Sequence, residues 1–352
     1  MSFALAPEIE DLAAAAGRLA ARSLAPGARR AEAEGRWPPE VVEVIHSLAL
    51  GALDLPAVLG GVAAGALAKV EVLEALAAGD AGGLPALDQP GPAVGAVLAC
   101  PDTAAAGEVA AACLAGVASC ALVVADPGFS SRIEWAPGWP VLRWAWVIAG
   151  DDLALVEVAP AGPAPALAFH ASGSTAASLG GAPVLGRWRL PDGAGVSVRG
   201  RARLWAAAVS LGVGRAALEA TIAYTTERVV FAKPVAHHQG NAFDLAVAAT
   251  GLHGAGLLLR DAAARVDGGD RDGGFWATQA WLETIDAVSR VTDLGIQLLG
   301  GHGFLVDHLA EKRFREARML GLLWGGRDAA DADVAAGSMS VEGPLFAETA
   351  QP

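Results

Sequence analysis

Cysteine is scarce in this 352-residue chain: there are three, Cys100, Cys113 and Cys120, none at metal-ligand spacing. So small and odd a number excludes a disulfide framework and suits a reducing, cytoplasmic setting. Charge is scarce too. Charged residues make up 18% against 53% hydrophobic, which excludes a solvated, disordered chain. Of the two signs, the basic one is short: 25 Lys and Arg face 38 Asp and Glu, a net charge of −13. A protein that tracks a phosphate backbone needs the opposite balance, so nucleic acid is excluded as a partner. The opening M-S-F-A-L-A-P-E-I-E-D-L lacks a basic start, so no secretory signal is expected. The uncharged run at 109–125 is short for a bilayer and reads as a buried helix end leading into a strand, so no membrane span is expected. Also lacking are G-x-S-x-G, a G-K-[ST] phosphate loop, H-E-x-x-H, and a G-x-G-x-x-G following a strand.

What is abundant is alanine, a strong helix former. Residues 8–115 read as helical. Ile9, Leu12, Ala16 and Leu19 fall at helical spacing, Pro38-Pro39 opens a second helix, Pro56 and Gly60-Gly61 interrupt, and helix resumes over 66–78. From 118 the pattern changes to short apolar runs, C-A-L-V-V-A, W-A-W-V-I-A and L-A-L-V-E-V-A, separated by Pro, Gly and Asp. Long helices then return from about 203, from Gln239, and from Phe275 to Leu299. The expected architecture is mainly α with a central β domain. The parts are an N-terminal helical domain (1–117), a shortened β barrel or sandwich (118–200), a C-terminal four-helix bundle (201–345) and a tail (346–352).

Two stretches could carry chemistry. In E-R-V-V-F-A-K-P-V-A-H-H-Q (227–239), Arg228 and Phe231 stand three apart and are expected to share a helix face. That face could offer a phosphate partner and a ring for a flat cofactor, or form an ordinary helix C-terminus with a dipole-compensating cation. In Q-L-L-G-G-H-G-F (297–304), three glycines in four residues either expose amides to a phosphate or ribose or simply cap a helix. His237, His238, His302 and His308 have no metal-site spacing and read as surface or turn residues.

Taken together these pieces resemble the acyl-CoA dehydrogenase family. Arg228 to Gln239 is similar to that family's R-x-x-F-G-K-P-I-x-x-x-Q, with Ala232 in place of a glycine. Gln297 to Phe304 resembles Q-x-x-G-G-x-G-[FY], Arg315-Glu316-Ala317-Arg318 resembles R-D-A-[KR], and Leu55 to Gly61 resembles V-P-E-x-x-G-G. The resemblance implies a helical, β, helical order and FAD shared at a subunit interface. It also implies that Arg228, Gln239, Gln297, Gly300 and Gly301, with Phe231 nearby, reach a neighbouring subunit's FAD.

The departures shape the functional expectation. The family's reaction needs a carboxylate to remove the α-proton of an acyl-CoA. Counted from Arg315, the usual Glu falls on Trp324, or on Gly325 after a one-residue slide, and the threonine that touches FAD falls on Gly326. The minority position for the base reads Ala202, beside Arg203. The family's T-E-P-x-x-G-S-D reads here as Ala125 to Arg132, and its W-I-[TS] has no clear counterpart. The chain is therefore expected to have no catalytic residue and no metal, and to be the non-catalytic subunit of a heteromeric acyl-CoA dehydrogenase. A homologous catalytic subunit, in a heterodimer or α2β2 assembly, would hold the acyl-CoA, with steroid side-chain CoA esters one substrate class. Alternatives are a homo-oligomer with altered flavin chemistry, using Asp328 or Asp331 as base, and a structural protein without flavin.

Overall fold

The computed structural model describes residues 5–125, 132–138, 141–164 and 166–338. The N-terminal part is helical: α1 (Pro7–Leu19), α2 (Ala25–Glu34), α3 (Pro39–Ser47), α4 (Gly65–Gly79), the short α5 (Leu84–Leu87) and α6 (Val94–Ala99), and α7 (Thr103–Leu114). A π-turn at Ala20–Leu24 joins α1 to α2. Pro26 has no amide to donate and its ring crowds the carbonyl one turn back, so the chain widens there instead of breaking. The start of α4 has no local cap. Asp267, far along the chain, accepts from the amides of Ala66 (2.6 Å) and Leu67 (2.9 Å). Gly65 must be glycine, because its φ is +93° and a Cβ would lie 2.8 Å from that carboxylate.

The central part contains β1 (Ser119–Val124), β2 (Arg132–Pro137), β3 (Leu142–Ala149), β4 (Asp152–Glu157), β5 (Pro160–Pro163), β6 (Ser174–Ser178) and β7 (Val184–Arg189). They form two sheets, β1-β3-β4-β7 and β2-β6-β5, with β1 and β3 parallel. The three apolar runs of the sequence are β1, β3 and β4. They read as continuous rather than alternating because both faces of the larger sheet are covered. Trp144, Trp146 and Ile148 of β3 pack with α6 and α7, while Ala145 and Val147 face the second sheet.

The C-terminal part is α8 (Ala194–Glu227), a two-residue hairpin of β8 (Val229–Val230) and β9 (Lys233–Pro234), α9 (Gln239–Asp267), α10 (Gly273–Leu299), α11 (Ala310–Leu320) and α12 (Gly326–Ser338). α8 begins at Ala194, not near 203. The stretch A-G-V-S-V-R-G-R has weak helix propensity, but packing overrides it. A Cβ on Gly200 would lie 2.7 Å from Gly274 of α10, so these two glycines let the helices cross in backbone contact. By length and composition alone, α8 and α9 are apolar enough to cross a membrane. α8 is a core helix, whereas only a third of the most apolar stretch of α9 is buried.

Ion pairs tie the three parts together at α11. Lys312 is buried between Asp80, just past α4, and Glu316. Arg315 donates to Glu32 of α2 (2.7 Å), Glu311 (2.7 Å) and the Leu167 carbonyl of the β domain (2.9 Å). Burial pushes the Glu32 carboxyl up, but hydrogen bonds from Arg315 and Arg29 outweigh it and hold the group down at about 2. Lys312→Met would leave two buried carboxylates without their cation. The expected cost is about 3–5 kcal/mol, read from the urea midpoint at pH 7.

Candidate functional site

The two motif stretches meet at one end of the bundle. Tyr224, one turn before Arg228 on α8, is hydrogen-bonded through its hydroxyl to Nδ1 of His302 at 2.8 Å. His308 completes a cluster of three rings, with centroids 5.4–6.2 Å apart. The rest of the chain has no other tyrosine. The sequence signal for this cluster is the four-residue spacing of Tyr224 and Arg228. The two histidines, which lack metal-ligand spacing, carry no signal of their own.

The expectation that Arg228 and Phe231 share a helix face is corrected. α8 ends at Glu227 and Arg228 is its extended C-cap (ψ 116°). Phe231 and Ala232 take φ of 50° and 65°, the two left-handed centres of a type I′ hairpin turn. Pro234 causes the break, since it cannot donate within a helix and bars its predecessor from helical backbone. Phe231 is thereby 89% exposed, edge-on to His238. The guanidinium of Arg228 is exposed and has no partner among the described residues. Gln239 is exposed at the first position of α9.

At the second stretch, Gln297 is exposed in the last turn of α10, and its carbonyl accepts from the amide of Gly300. Gly300 has φ 58° and ψ −133°, a conformation that side chains exclude. Nothing lies within 4 Å of where a Cβ would stand on Gly300 or Gly301, so the turn opens onto free space. Gly303 differs, since its Cβ would strike the Ile296 carbonyl at 2.5 Å and its role is packing. Around these residues the surface is apolar: Phe243 (60% exposed), Val247, Phe304 (71%), Leu305 and Val306 are all uncovered.

Trp324 sits in a one-turn 3-10 segment, Leu323–Gly325, in left-handed backbone (φ 51°, ψ 42°). Its indole packs against both large hydrophobic clusters, the helical one and the one holding Trp144 and Trp146. It is a wedge between the bundle and the β domain. Asp328 and Asp331 are exposed on α12, with Asp331 3.8 Å from Arg327. Ala202 is buried on α8. Arg203 beside it binds Thr278 and Asp333. Burial pushes the Asp333 carboxyl up, but the hydrogen bond from Arg199 and the charge of Arg203 keep it below the usual range.

Between α4 and α8 lies a cavity of about 10 Å³ lined by Asp54, Lys69, Arg201 and Trp205 among others. That is room for one water at most. Lys69 and Trp205 both donate to the buried Asp88. Asp54 is half-buried, and its enclosed Oδ1 has no hydrogen-bond partner among the described residues. Burial pushes it up to about 6, partly offset by Lys69 and Arg201. Neither this cluster nor the Lys312 cluster was legible in the sequence. The octet from Ala125 to Arg132 falls mostly on residues 126–131, outside the described residues.

Comparison with known proteins gives one consistent answer. Residues 6–122 match the family model "Acyl-CoA dehydrogenase, N-terminal domain" and residues 199–339 match "Acyl-CoA dehydrogenase, C-terminal domain". Over 123 residues the chain is 32% identical to a cyclohex-1-ene-1-carbonyl-CoA dehydrogenase of Geobacter metallireducens, covering 35% of this chain and 32% of that protein. The chain thus spans about a third of the length of the curated relatives it matches, 28–32% for the first three. Among solved structures, a Mycobacterium smegmatis glutaryl-CoA dehydrogenase in complex with FADH2 superposes with a TM-score of 0.78 at 18% identity, covering 95% of each chain. A variant of the Tcur3481-Tcur3483 steroid ACAD does so with 0.75 at 20%, covering 95% of this chain and 99% of that one.

Two substitutions separate backbone demand from open space at the glycine turn. Gly300→Ala should cost about 1–3 kcal/mol through its φ/ψ, while Gly301→Ala should stay within about 1 kcal/mol, both read from thermal unfolding. A third change tests the half-buried acid. With a folded value near 6 and an unfolded value near 4, the native state holds more protons in between, so Asp54 loses stability as pH rises through that window. Asp54→Asn should therefore gain about 2–3 kcal/mol over the parent at pH 7 and little at pH 4, in urea melts at both values.

Proposed function

Because the chain belongs to the acyl-CoA dehydrogenase family, we propose that it is the non-catalytic subunit of a heteromeric, flavin-dependent acyl-CoA dehydrogenase. One observation carries this reading. Both positions where the family holds its proton-abstracting carboxylate are apolar, Trp324 as a half-buried wedge packed against the core and Ala202 buried within α8. The residues matching the family's reach across the subunit interface are instead exposed together at one bundle end. With no carboxylate at either position, the acyl-CoA is assigned to the partner.

The residues present fit the outer part of an FAD. Arg228 offers an unengaged cation to the pyrophosphate. Gln239 and Gln297 offer amide donors, and the open space over Gly300 and Gly301 admits the adenosine end against the backbone. When bound, FAD supplies the hydride acceptor for α,β-dehydrogenation of the acyl-CoA. This chain's residues only hold and orient it, while the base and the flavin-ring pocket come from a homologous catalytic subunit, in a heterodimer or α2β2 complex. The apolar surface formed by Phe231, Phe243, Val247 and Phe304 to Val306 supports such a partner, because an exposed patch of that kind marks an interface. By analogy with the neighbour named as a steroid ACAD, the proposed substrates are CoA esters of steroid side chains. The proposed compartment is the cytoplasm. Asp328 and Asp331 stand on the exposed face of α12, which does not favour a self-sufficient enzyme using either as base.

The test is the visible spectrum. The chain purified alone should show no flavin absorbance and no acyl-CoA oxidation, and yellow protein should appear on co-expression with a homologous catalytic subunit. Arg228→Ala should lower FAD occupancy of the complex by about tenfold in affinity, and Trp324→Glu should give the lone chain no activity. Flavin and turnover in the lone, unmodified chain would refute the proposal.

A further inference from the structure

Arg313 is a cation without an anion. It lies in α11 between the engaged Lys312 and Arg315, partly buried, and its guanidinium makes no hydrogen bond or ion pair with any described residue. The buried acids nearest to it, Asp80 and Glu316, are both bound by Lys312. Glu219, exposed on α8, acts on it only at a distance. Burial therefore pulls the Arg313 guanidinium below its ordinary value, which nearby acids only partly offset. A guanidinium carries five donors, and the Arg313 nitrogens, none of them fully buried, are reachable by an anion entering from solvent.

The surroundings are arranged for one. Arg313 lines a crevice of about 80 Å³ between α8, α10 and α11, together with Tyr224, Thr221 and His308. The ring nitrogens of His308 also have no partner among the described residues. Leu309 and Ala310 line the same crevice and form the start of α11, an eleven-residue helix whose first turn has no side-chain cap. Its free amides and the positive end of its dipole add to the guanidinium and the imidazole. Among the described residues no acidic side chain lines this crevice, in a chain of net charge −13. The volume corresponds to two or three waters at ~30 Å³ each, the size of one tetrahedral oxyanion and too small for a nucleoside.

We propose that this crevice is a binding site for a phosphate-type oxyanion, either free or as the terminal phosphate of a nucleotide, with Arg313 and His308 as its principal donors. The site does not depend on the flavin reading, since Arg313 and His308 are not among the residues assigned to FAD.

The chain's single tyrosine gives a direct readout. Full-length protein labelled with 3-fluorotyrosine has one ¹⁹F resonance, from Tyr224 in the crevice wall. Titration with inorganic phosphate at constant ionic strength should move it saturably, and chloride should not. Arg313→Gln should weaken the apparent affinity about tenfold or more, and Arg313→Lys less. Saturation by ADP at lower concentration than phosphate, with adenosine inert, identifies a nucleotide-borne phosphate. The reverse order identifies the free anion. A resonance that does not move, moves linearly with any salt, or saturates unchanged in Arg313→Gln overturns the proposal. The comparison of phosphate with chloride needs only unmutated protein, so a poorly folding variant leaves it decisive.

Discussion

The assembly of this chain turns on Lys312. An ammonium with almost no solvent contact is tolerable only if its charge is matched, and here Asp80 and Glu316 match it. Burial pushes the Glu316 carboxyl up, the charge of Lys312 opposes this, and the lysine is held firmly protonated between the two acids. Satisfying this cluster fixes α11 against the end of α4. Once α11 is fixed, Arg315 reaches Glu32 in α2 and the Leu167 carbonyl in the β domain, so three separate layers share one joint. The R-E-A-R stretch thus has a structural explanation independent of any cofactor: Arg315 and Glu316 are partners in this joint.

That joint also positions the turn between α11 and α12. Leaving α11, the chain must turn sharply, and Gly325 and Gly326 at positive φ with Trp324 in left-handed backbone make the turn. The indole is then carried to the seam between the bundle and the sheet, where it touches both hydrophobic clusters. Nearby, α4 and α8 are joined by a second buried cluster, in which Lys69 and Trp205 both donate to Asp88. Beside the Trp324 turn a groove of about 700 Å³ is lined by Gly325, Gly326 and Asp328, while the far end of the bundle carries an arginine with no partner among the described residues, an open glycine turn and uncovered aromatic residues.

Element types were readable because they rest on local pattern. The alanine-rich amphipathic stretches, the proline start at 38–39, the break at Pro56 and Gly60-Gly61, and the short apolar runs from 118 each carry their own period or punctuation. The differences arise where a local rule meets a distant contact or a single overriding residue. Residues 194–202 look poor as helix, yet Gly200 against Gly274 makes them the crossing point of α8 and α10. Arg228 and Phe231 look like helix neighbours, yet Pro234 turns the segment into a hairpin.

Residue order alone determined the family and the helical, β, helical order. Both are properties of identity and spacing. Only the tertiary structure decided which charges are matched and which are idle. Lys312, Arg313 and Arg315 lie within four consecutive residues and look alike in sequence. One is buried between two acids, one bridges to two other layers, and one faces a crevice and has no partner among the described residues. The reason is that a charge's fate depends on what the rest of the chain brings within a few ångströms of it, and those groups come from residues up to 283 positions away.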